Sequence, residues 1–347
     1  MKNRKREICT SGSVRDEDGQ PPHLLGRRNF LHLAAGAAGL PAVSRLARAE
    51  TYPTRPVRIV VGFPAGGTSD IVARVLGQWL SERLGQQFIV ENRPGASANL
   101  ATEAVAKAAA DGYTLLLLGG VNAINATLFD KLNFDFLRDI APVAGVFETP
   151  LVVEVNPSVP VHTIPEFITY AKDIVGKLNM GTPGVGTPPH VAGELFKMMA
   201  GVDMVHVPYR GTGPMLTDLI GGQVQVAFDP LPASIEHIRA GKLRALAVTT
   251  ASRSEALPGI PSASESVPDY VASTWYGFAA PKSTPSEIVS KLNAEINAAL
   301  ADPKMKARLA ELGGAPFASS PATFAKFVAN DTAKWAKVIR EANIKPQ

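Results

Sequence analysis

The sequence predicts an α/β protein built as two lobes, each with a mostly parallel sheet flanked by helices. Apolar runs of strand length alternate with segments whose apolar residues recur at helical spacing, a pattern typical of βαβ units. The alternation stops and begins again at Pro150, which indicates a second lobe. The chain has 347 residues, 46% of them hydrophobic and 19% charged, so its length suits two domains and its composition a globular protein.

The first lobe is predicted from five elements in the order β-α-β-α-β. The β-branched run at residues 55–63 predicts a buried strand, and the apolar spacing over residues 71–84 predicts a helix. A strand at 88–90, a helix at 99–110 and a strand at 113–118 follow. The candidate caps of the first helix are Thr68, Ser69 and Asp70.

The second lobe and the return to the first follow from the remaining pattern. Strands are predicted at 150–155, 178–181, 205–207, 224–228 and 243–248, with helices at 163–172, 189–200 and 214–220. A strand near 273–281 and two helices, at 285–300 and 321–342, end the chain, and no fresh strands accompany these helices. We therefore expect the helices to pack on the first lobe, so that lobe 1 comprises residues 50–149 plus 273–347 and lobe 2 comprises residues 150–272.

Residues 1–49 predict a cleavable export signal of the twin-arginine type. Arg27-Arg28 precedes a weakly apolar stretch at residues 30–43, and a small-x-small cleavage site ends at Ala49. An uncleaved anchor is the alternative, but this stretch is shorter than the about 20 apolar residues that span a bilayer. Cys9 precedes the apolar stretch instead of following it, which disfavours a lipoprotein. We expect cleavage near Ala49 and a periplasmic protein.

Charge and cysteine content narrow the function classes. Residues 1–49 hold nine basic and four acidic side chains, so the rest of the chain carries a net charge of −1 instead of the +4 of the whole. The basic balance belongs to the leader, and we expect no nucleic-acid partner. Cys9 is the only cysteine, which excludes from the body a disulfide framework, a thiolate metal site and a cysteine nucleophile. No cluster has metal-ligand spacing, so we expect neither a metal nor an organic cofactor.

A glycine-rich loop follows the first predicted strand and precedes the first helix. Glycines let the backbone approach a ligand closely, and the first amides of a helix are unpaired donors at the positive end of its dipole. Together these features favour a bound carboxylate. A plain βα turn that needs glycine for its dihedral angles is the alternative. The candidate ligand-binding residues here are Phe63, Ala65, Gly66, Gly67, Ser69 and Asp70.

A second loop, at residues 181–190, repeats this arrangement in the other lobe. It is not a nucleotide fingerprint, because Pro189 stands where the third glycine of G-x-G-x-x-G would be. His190 is either a donor to a ligand or an ordinary residue at a helix start. The candidate ligand-binding residues are Thr182, Gly184, Gly186, Thr187 and His190.

Three more side chains are candidates for contacting the other end of a ligand. Tyr209 offers an apolar face with a hydroxyl, and Arg210 can pair bidentately with a carboxylate, although a solvated surface arginine is the common alternative. Asp229 ends a predicted strand, where open α/β sheets bind ligands, and its alternative role is to initiate a turn before Pro230. An Asp229 that faces the site favours an amino or hydroxyl substituent, whereas an Arg210 that faces it favours a dicarboxylate.

The sequence contains none of the common catalytic motifs. It has no G-x-S-x-G elbow, Walker A sequence, H-E-x-x-H or C-x-x-C. We therefore expect that the protein is not an enzyme. An exported hydrolase whose serine, histidine and aspartate meet only in space stays an alternative.

Short motifs follow one another in a specific order from Tyr52 to Lys345. This ordered set resembles the substrate-binding proteins of the tripartite tricarboxylate transporter family, also called the Bug family. The motifs include Phe63-Pro64-Ala65-Gly66-Gly67, Glu91-Asn92-Arg93-Pro94-Gly95, Asp111-Gly112-Tyr113-Thr114-Leu115, Gly184-x-Gly186-Thr187-x-x-His190, Val207-Pro208-Tyr209-Arg210-Gly211, Phe228-Asp229 and Trp275-Tyr276-Gly277.

The resemblance implies a two-lobed periplasmic-binding-protein fold of the type II kind and a solute-binding role. In that family one loop from each lobe grips a ligand carboxylate through backbone amides and ordered water, and the matching loops here are residues 63–70 and 181–190. The ligands are mostly di- and tricarboxylates, acidic amino acids and aromatic acids, which pass to integral membrane transporter subunits. We expect a monomer. Presentation of the ligand to a membrane sensor kinase is the alternative role.

The chain departs from the family pattern at several places. A Ser-Ala-Gly-like stretch usually precedes Gly-Thr in the second loop, and this chain has Gly181-Thr182-Pro183-Gly184. The family usually has Ala-Gly-Gly-Asn after Pro94-Gly95, and this chain has Ala96-Ser97-Ala98-Asn99. Pro188-Pro189 and Gln225 are also unusual. These departures leave the implied fold unchanged and affect the ligand.

Overall fold

The computed structural model describes residues 52–129, 131–341 and 344–346 of the chain. The predicted export signal, with its arginine pair and cleavage site, lies outside the described residues and stays a prediction. Among the helices of the described part, none is long and apolar enough to cross a membrane.

The strands of the described residues join into one extended sheet. Its order is β2-β1-β3-β9-β4-β7-β5-β6, and β8 and β10 also pair with β4. The bounds are β1 Val57–Val61, β2 Phe88–Asn92, β3 Thr114–Gly119, β4 Ile140–Val155, β5 Asn179–Thr182, β6 Val205–Pro208, β7 Val226–Pro230, β8 Arg244–Val248, β9 Ser273–Pro281 and β10 Ala315–Pro316.

Helices connect most of these strands and cover the faces of the sheet. Their bounds are α1 Thr68–Leu84, α2 Asn99–Ala106, α3 Gly120–Leu128, α4 Phe136–Asp139, α5 Ile164–Asp173, α6 Pro188–Ala200, α7 Thr212–Ile220, α8 Leu231–Arg239, α9 Ser286–Ala301, α10 Pro303–Glu311 and α11 Pro321–Glu341.

The long strand β4 joins two regions of the sheet. Residues 140–150 pair antiparallel with β9, and residues 151–155 pair antiparallel with β7. We call β2, β1, β3, β9 and residues 140–150 the first sheet region, and residues 151–155 with β7, β5, β6 and β8 the second. The sequence predicted this strand only from Pro150, because Pro142 and Gly145 interrupt its apolar pattern. In the structure both residues belong to the strand and lie at register shifts in its pairing with β9.

Parallel strands set the edge at which each region places its loops. In the first sheet region β1 pairs parallel with both β2 and β3, and in the second β5 pairs parallel with both β6 and β7. The carboxyl ends of parallel strands lie at one edge of a sheet, which is where open α/β sheets bind ligands. The loops that follow β1, β3, β5, β6 and β7 are therefore the ones that matter for a site.

The two C-terminal helices that the sequence predicted pack on the sheet through buried apolar residues. Leu292 and Ile296 of α9 pack in one core with β1 and α1, and Phe324 of α11 packs edge-on against Trp275 of β9. Further along α11, Trp335 packs with α3 and with α6. Burying such side chains contributes about 1.5–3 kcal/mol each to stability. The lobe boundaries drawn from the sequence stay a prediction.

Candidate functional site

A cavity lies where the loops after β1, β3, β5, β6 and β7 meet. We call it the inner cavity. The space between its atoms, with the solvent open to it, is about 540 Å³. Its lining residues are Phe63, Pro64, Gly67, Thr68, Ser69, Gly119, Gly120, Val121, Pro183, Thr187, Pro188, Pro189, Thr212, Gly213, Pro230, Thr274 and Tyr276. None of these lining residues is acidic, basic or histidine.

Five helices begin at the inner cavity. The starts of α1, α3, α6, α7 and α8 all contribute lining residues, and at none of them does the side chain of the N-cap residue accept a helix amide. At α3 the side chain of Asn122 accepts the amide of the N-cap residue Gly119. By contrast, α4, α5 and α10 begin elsewhere and are capped by Asp135, Thr163 and Asp302. Because α2 and α9 also lack side-chain caps, the convergence of five uncapped starts marks the cavity, and the lack of a cap alone does not.

Helices α1, α3 and α7 supply free donors. The amides of Thr68, Ser69, Gly120, Val121, Thr212 and Gly213 have no acceptor among the described residues, as expected for the first turn of a helix. Each helix start also carries a partial positive charge of about half an elementary charge. The prediction that Thr68, Ser69 or Asp70 caps α1 is wrong, since the N-cap is Gly67 and no side chain closes this helix start.

The hydroxyl of Thr68 is buried without a hydrogen-bond partner. Thr68 is only 3% exposed, lines the inner cavity and has no protein acceptor or donor for its Oγ1. The Tyr276 hydroxyl lies nearby, but without the geometry of a hydrogen bond to Thr68. Burial, together with the charge of Asp229, holds the pKa of Tyr276 well above its usual range, so this phenol is neutral and able to donate. A buried hydroxyl without a partner is costly, so a ligand acceptor would stabilise this site.

Asp70 shapes the first glycine loop and does not line the cavity. Its carboxylate accepts the amide of Gly66 at 3.0 Å, the guanidinium of Arg74 and the side-chain amide of Asn92 at 3.0 Å. Burial by itself would raise the pKa of Asp70, but these hydrogen bonds outweigh burial and lower it below its usual value. Asp70 is thus an ionised clamp that holds Gly66 at a φ of +89° and turns the loop into α1.

The second glycine loop uses its amides internally. The amide of Gly186 donates to Nδ1 of His190 at 3.2 Å, and the amide of Thr187 donates to the carbonyl of Gly184. Pro188 and Pro189 have no amide hydrogen, so the first turn of α6 offers few donors. This loop therefore contributes surface and dipole to the inner cavity, while free donors come from the starts of α1, α3 and α7.

A stacked histidine pair supports the second loop from behind. The rings of His190 and His206 lie 4.0 Å apart with 16° between their planes. Nε2 of His206 is 2.6 Å from Oγ1 of Thr182. Burial, with the charges of His206 and Lys197, lowers the pKa of His190 to about 3, and burial with Lys197 lowers that of His206 to about 4. Both rings are neutral at neutral pH, which suits the acceptor role of His190 toward Gly186.

An outer cleft adjoins the inner cavity and opens to solvent. It encloses about 1390 Å³ between atoms and shares Phe63, Pro64 and Pro183 with the inner cavity. Tyr209 and the exposed Arg210 line it on one side. The hydroxyl of Tyr209 donates to Asp218 at 2.7 Å, and burial together with this carboxylate raises the pKa of Tyr209 to about 12.

The loop at residues 96–98 lines the opposite side of the outer cleft. Ala96, Ser97 and Ala98 all have positive φ angles, between 46° and 71°, a region that favours glycine. These positions are where the chain departs from the Ala-Gly-Gly of the family pattern. Oγ of Ser97 donates to the carbonyl of Val185 at 2.5 Å, and Asn125 donates to the carbonyl of Ser97. The hydrogen bond from Ser97 to Val185 links the loop before α2 to the second glycine loop.

Asp229 lies beneath the inner cavity, in contact with one of its lining residues. Oγ1 of Thr212 donates to Oδ1 of Asp229 at 3.3 Å, and Oγ of Ser234 is 3.2 Å from Oδ2. Burial raises the pKa of Asp229 to about 8. Glu154, which shares Ser234, has a pKa raised well above its usual value by burial and by the charge of Asp229.

The predicted ligand-binding residues fall into three groups. Phe63, Gly67, Ser69 and Thr187 line the inner cavity. Phe63, Gly184, Tyr209 and Arg210 line the outer cleft. The others do not line either space. Of these, Ala65 and Gly66 are exposed, and the buried ones are Asp70, Thr182, Gly186, His190 and Asp229.

Sequence reasoning missed the contribution of α3 and β9 to the site. The start of α3 follows β3 directly, so the strand signal masked it, although Val121, Ile124 and Leu128 have helical spacing. Thr274 and Tyr276 project from β9, and a strand pattern does not indicate that two of its residues face a cavity. Thr212 was hidden in the turn before the predicted helix at 214–220.

A family comparison identifies the chain. Residues 72–344 match the model of the tripartite tricarboxylate transporter family receptor. The chain belongs to this family. The protein BugT of Bordetella pertussis (strain Tohama I) is 38% identical over 300 residues, which cover 86% of this chain and 92% of BugT. The resemblance to the Bug family inferred from the motifs is confirmed.

Solved structures confirm the fold of this family receptor. Rpa4515 of R. palustris, solved with adipate, superposes with a TM-score of 0.84 at 39% identity and covers 85% of this chain and 100% of that one. MatC of Rhodopseudomonas palustris, solved with bound malate, has a TM-score of 0.79 at 33% identity, over 83% of this chain and 100% of its own. The periplasmic binding protein BugD gives 0.82 at 32% identity, over 85% of this chain and 100% of BugD. The periplasmic-binding-protein fold expected from the sequence is thus confirmed.

The family also distinguishes a binding protein from an enzyme. Its members and the structural relatives are periplasmic solute-binding receptors and not enzymes, which confirms the expectation that this chain is not an enzyme. The alkanesulfonate-binding protein SsuA, at 14% identity and a TM-score of 0.54, shares the fold alone.

We expect stability to fall as the pH rises from about 6.5 to 8.5. Asp229 has a raised pKa in the folded state, so its contribution to stability is complete below the unfolded value of about 3.9 and is lost as the pH rises through about 8. The loss is at most about 1.4 kcal/mol per pH unit. Burial lowers the pKa values of His190 and His206 in the folded state, so the titration of these histidines changes stability only below this pH range. Thermal unfolding followed by circular dichroism across this pH range measures the slope.

The variants Asp229→Asn and Asp173→Asn complete this test. Asparagine at 229 cannot ionise, so the fall in melting temperature between pH 6.5 and 8.5 should become shallower. Asp173 is exposed at the end of α5 and serves as the control, with an unchanged slope. Equal slopes in the wild type and Asp229→Asn would show that Asp229 has an ordinary pKa.

Proposed function

We propose that the protein binds a small carboxylate in the inner cavity and presents it to the integral membrane subunits of a tripartite tricarboxylate transporter. One observation carries the proposal: five uncapped helix starts converge on a cavity in which the buried Thr68 hydroxyl has no partner. The membership of the transporter receptor family supports the delivery role.

The electrostatics of the inner cavity favour an anion over a cation or a neutral solute. The helix starts direct partial positive charge and free amides into a space without acidic lining residues. A cation would meet this field unfavourably and would find no carboxylate to pair with. A neutral solute would gain hydrogen bonds without the charge-assisted part, which roughly doubles their strength.

The two adjoining spaces favour a ligand with two acidic ends. One carboxylate would bind the amides of Thr68, Ser69, Gly120 and Val121 together with the Thr68 hydroxyl, and the other end would extend into the outer cleft toward Arg210. The relatives solved with adipate and with malate, both dicarboxylates, support this class. Arg210 is exposed, so its pairing with the second carboxylate would be worth about 1 kcal/mol or less.

We also propose that residues 1–49 direct export by the twin-arginine route and are then removed. The arginine pair and the Ala49 site support this proposal. Protein recovered from the periplasm should begin at Glu50 by mass spectrometry, and replacing Arg27 and Arg28 by lysine should block export. Recovered protein that retains residues 1–30 would disprove the cleavage, and normal export of the lysine variant would point to the general route.

Thr68→Val should weaken carboxylate binding by about 10- to 100-fold. Valine keeps the shape of threonine and removes the hydroxyl, and a hydrogen bond to a charged group is worth about 1.5–3 kcal/mol. Isothermal titration of residues 50–347 with adipate and with malate measures the loss. Thr68→Ser restores the hydroxyl and should bind within a few-fold of the wild type.

Three controls define the result. Thr332→Val removes a buried hydroxyl that donates to Val328 within α11 and lines neither the inner cavity nor the outer cleft, so it should leave the affinity unchanged. Adipamide, the uncharged counterpart of adipate, should not bind. Arg210→Ala should weaken adipate more than hexanoate, which lacks the second carboxylate. If neither adipate nor malate binds, or if Thr68→Val binds like the wild type, this assignment of the site is wrong.

A further inference from the structure

A pair of carboxyl groups lies buried side by side beneath the inner cavity. Asp229 on β7 pairs with Val152 on β4, and Glu154 follows Val152 by two residues on the same strand. Side chains two residues apart project from the same face of a sheet, so both carboxyl groups lie on one face. Ser234 of α8 covers this face and contacts both carboxyl groups. Asp229 and Glu154 are each 0% exposed.

The hydrogen bonds of this pair require a proton on one carboxyl group. Oγ of Ser234 lies 2.8 Å from Oε1 of Glu154 and 3.2 Å from Oδ2 of Asp229. A hydroxyl has one hydrogen, and an ionised carboxylate only accepts, so Ser234 can satisfy only one of two ionised partners. The second contact becomes a hydrogen bond when the other carboxyl group is protonated and donates to Ser234. Oε2 of Glu154 is also buried without a partner, which disfavours charge on Glu154.

No basic group compensates the pair within the described residues. Neither Asp229 nor Glu154 forms a salt bridge there, and the titratable group that faces Asp229 from β9 is the phenol of Tyr276. Arg244 on the neighbouring β8 donates to the carbonyls of Val159 and Val161 instead. On α8, Glu236 and Arg239 pair with each other at the surface. Two negative charges at this place would therefore be unbalanced, and a shared proton removes one of them.

Thr212 connects this pair to the inner cavity. It lines the cavity and contacts Oδ1 of Asp229 at 3.3 Å. While Asp229 is ionised, the Thr212 hydrogen points to Asp229 and the hydroxyl presents only lone pairs to a ligand. With the shared proton on Glu154 and donated to Ser234, a further proton on Oδ1 of Asp229 would be donated to Thr212 and would free the Thr212 hydrogen for a ligand oxygen. The charge of Asp229 and the direction of the Thr212 hydroxyl thus change together.

We infer that Asp229 and Glu154 form a proton-binding site that gains a proton when a carboxylate enters the inner cavity and thereby makes Thr212 a donor to the ligand. The inference rests on the proposed carboxylate function for its ligand, but the shared proton rests on the pair itself. An anion above the pair disfavours a second negative charge below it, and the burial that raises both pKa values agrees with a proton held near neutral pH. Carboxylate affinity should consequently fall as the pH rises from 7 to 9.

Infrared spectroscopy tests the proton without any ligand. At pH 6.5 the protein spanning residues 50–347 should show the carbonyl band of a protonated carboxyl group. Asp229→Asn and Glu154→Gln should each weaken this band, and the exposed Asp173→Asn should keep it. Absence of any difference between the wild type and both pair variants would disprove the shared proton, whatever the protein binds.

Calorimetry tests the link to the ligand. Adipate is titrated at pH 8 in two buffers of different ionisation enthalpy, so that the heat reports the protons taken up per ligand. The wild type and Asp173→Asn should take up a sizeable fraction of one proton, and Asp229→Asn should take up none while still binding adipate. A wild-type heat independent of the buffer would disprove the link. Failure of both adipate and malate to bind would refute the proposed function and the link together, while the infrared band would still decide the shared proton.

Discussion

The unpaired amides at the helix starts are the constraint on which the rest of this structure depends. Buried amides must find acceptors, yet the five helices that begin at the inner cavity have no side-chain caps. Parallel pairing brings these starts to one place, because the carboxyl ends of parallel strands share an edge. The long strand β4 then joins the two sheet regions so that both edges line one cavity. An anion is the ligand that such a place stabilises.

The groups around the cavity keep it free of fixed charge. Asp70 is ionised, but its charge is taken up by Arg74, Asn92 and the backbone. The stacked histidines are neutral because they are buried, and the proton inferred for Asp229 and Glu154 reduces the charge of that buried pair. The proposed selectivity for an anion would therefore come from dipoles and hydroxyls. Such a site would bind a carboxylate without a buried ion pair, whose desolvation is costly.

The sequence predicted the alternation of elements and both glycine loops well, because apolar periodicity and glycine-rich βα turns are local signals. Of the predicted ligand-binding residues, Phe63, Gly67, Ser69 and Thr187 line the inner cavity. The sequence could not show that the amides of Gly66 and Gly186 are used by Asp70 and His190, since such bonds depend on loop conformation. The missed parts, such as Tyr276 on β9, come from elements far apart in the chain. The proton on the buried acid pair likewise follows only from the β4–β7 register.

The most direct test of this account is a crystal structure of residues 50–347 with adipate. We expect one carboxylate in the inner cavity, with its oxygens at about 2.7–3.2 Å from Oγ1 of Thr68 and from amides at the helix starts. The other carboxylate should extend into the outer cleft on the side of Arg210. Adipate bound with both carboxylates in the outer cleft, or with none at the helix starts, would contradict the account.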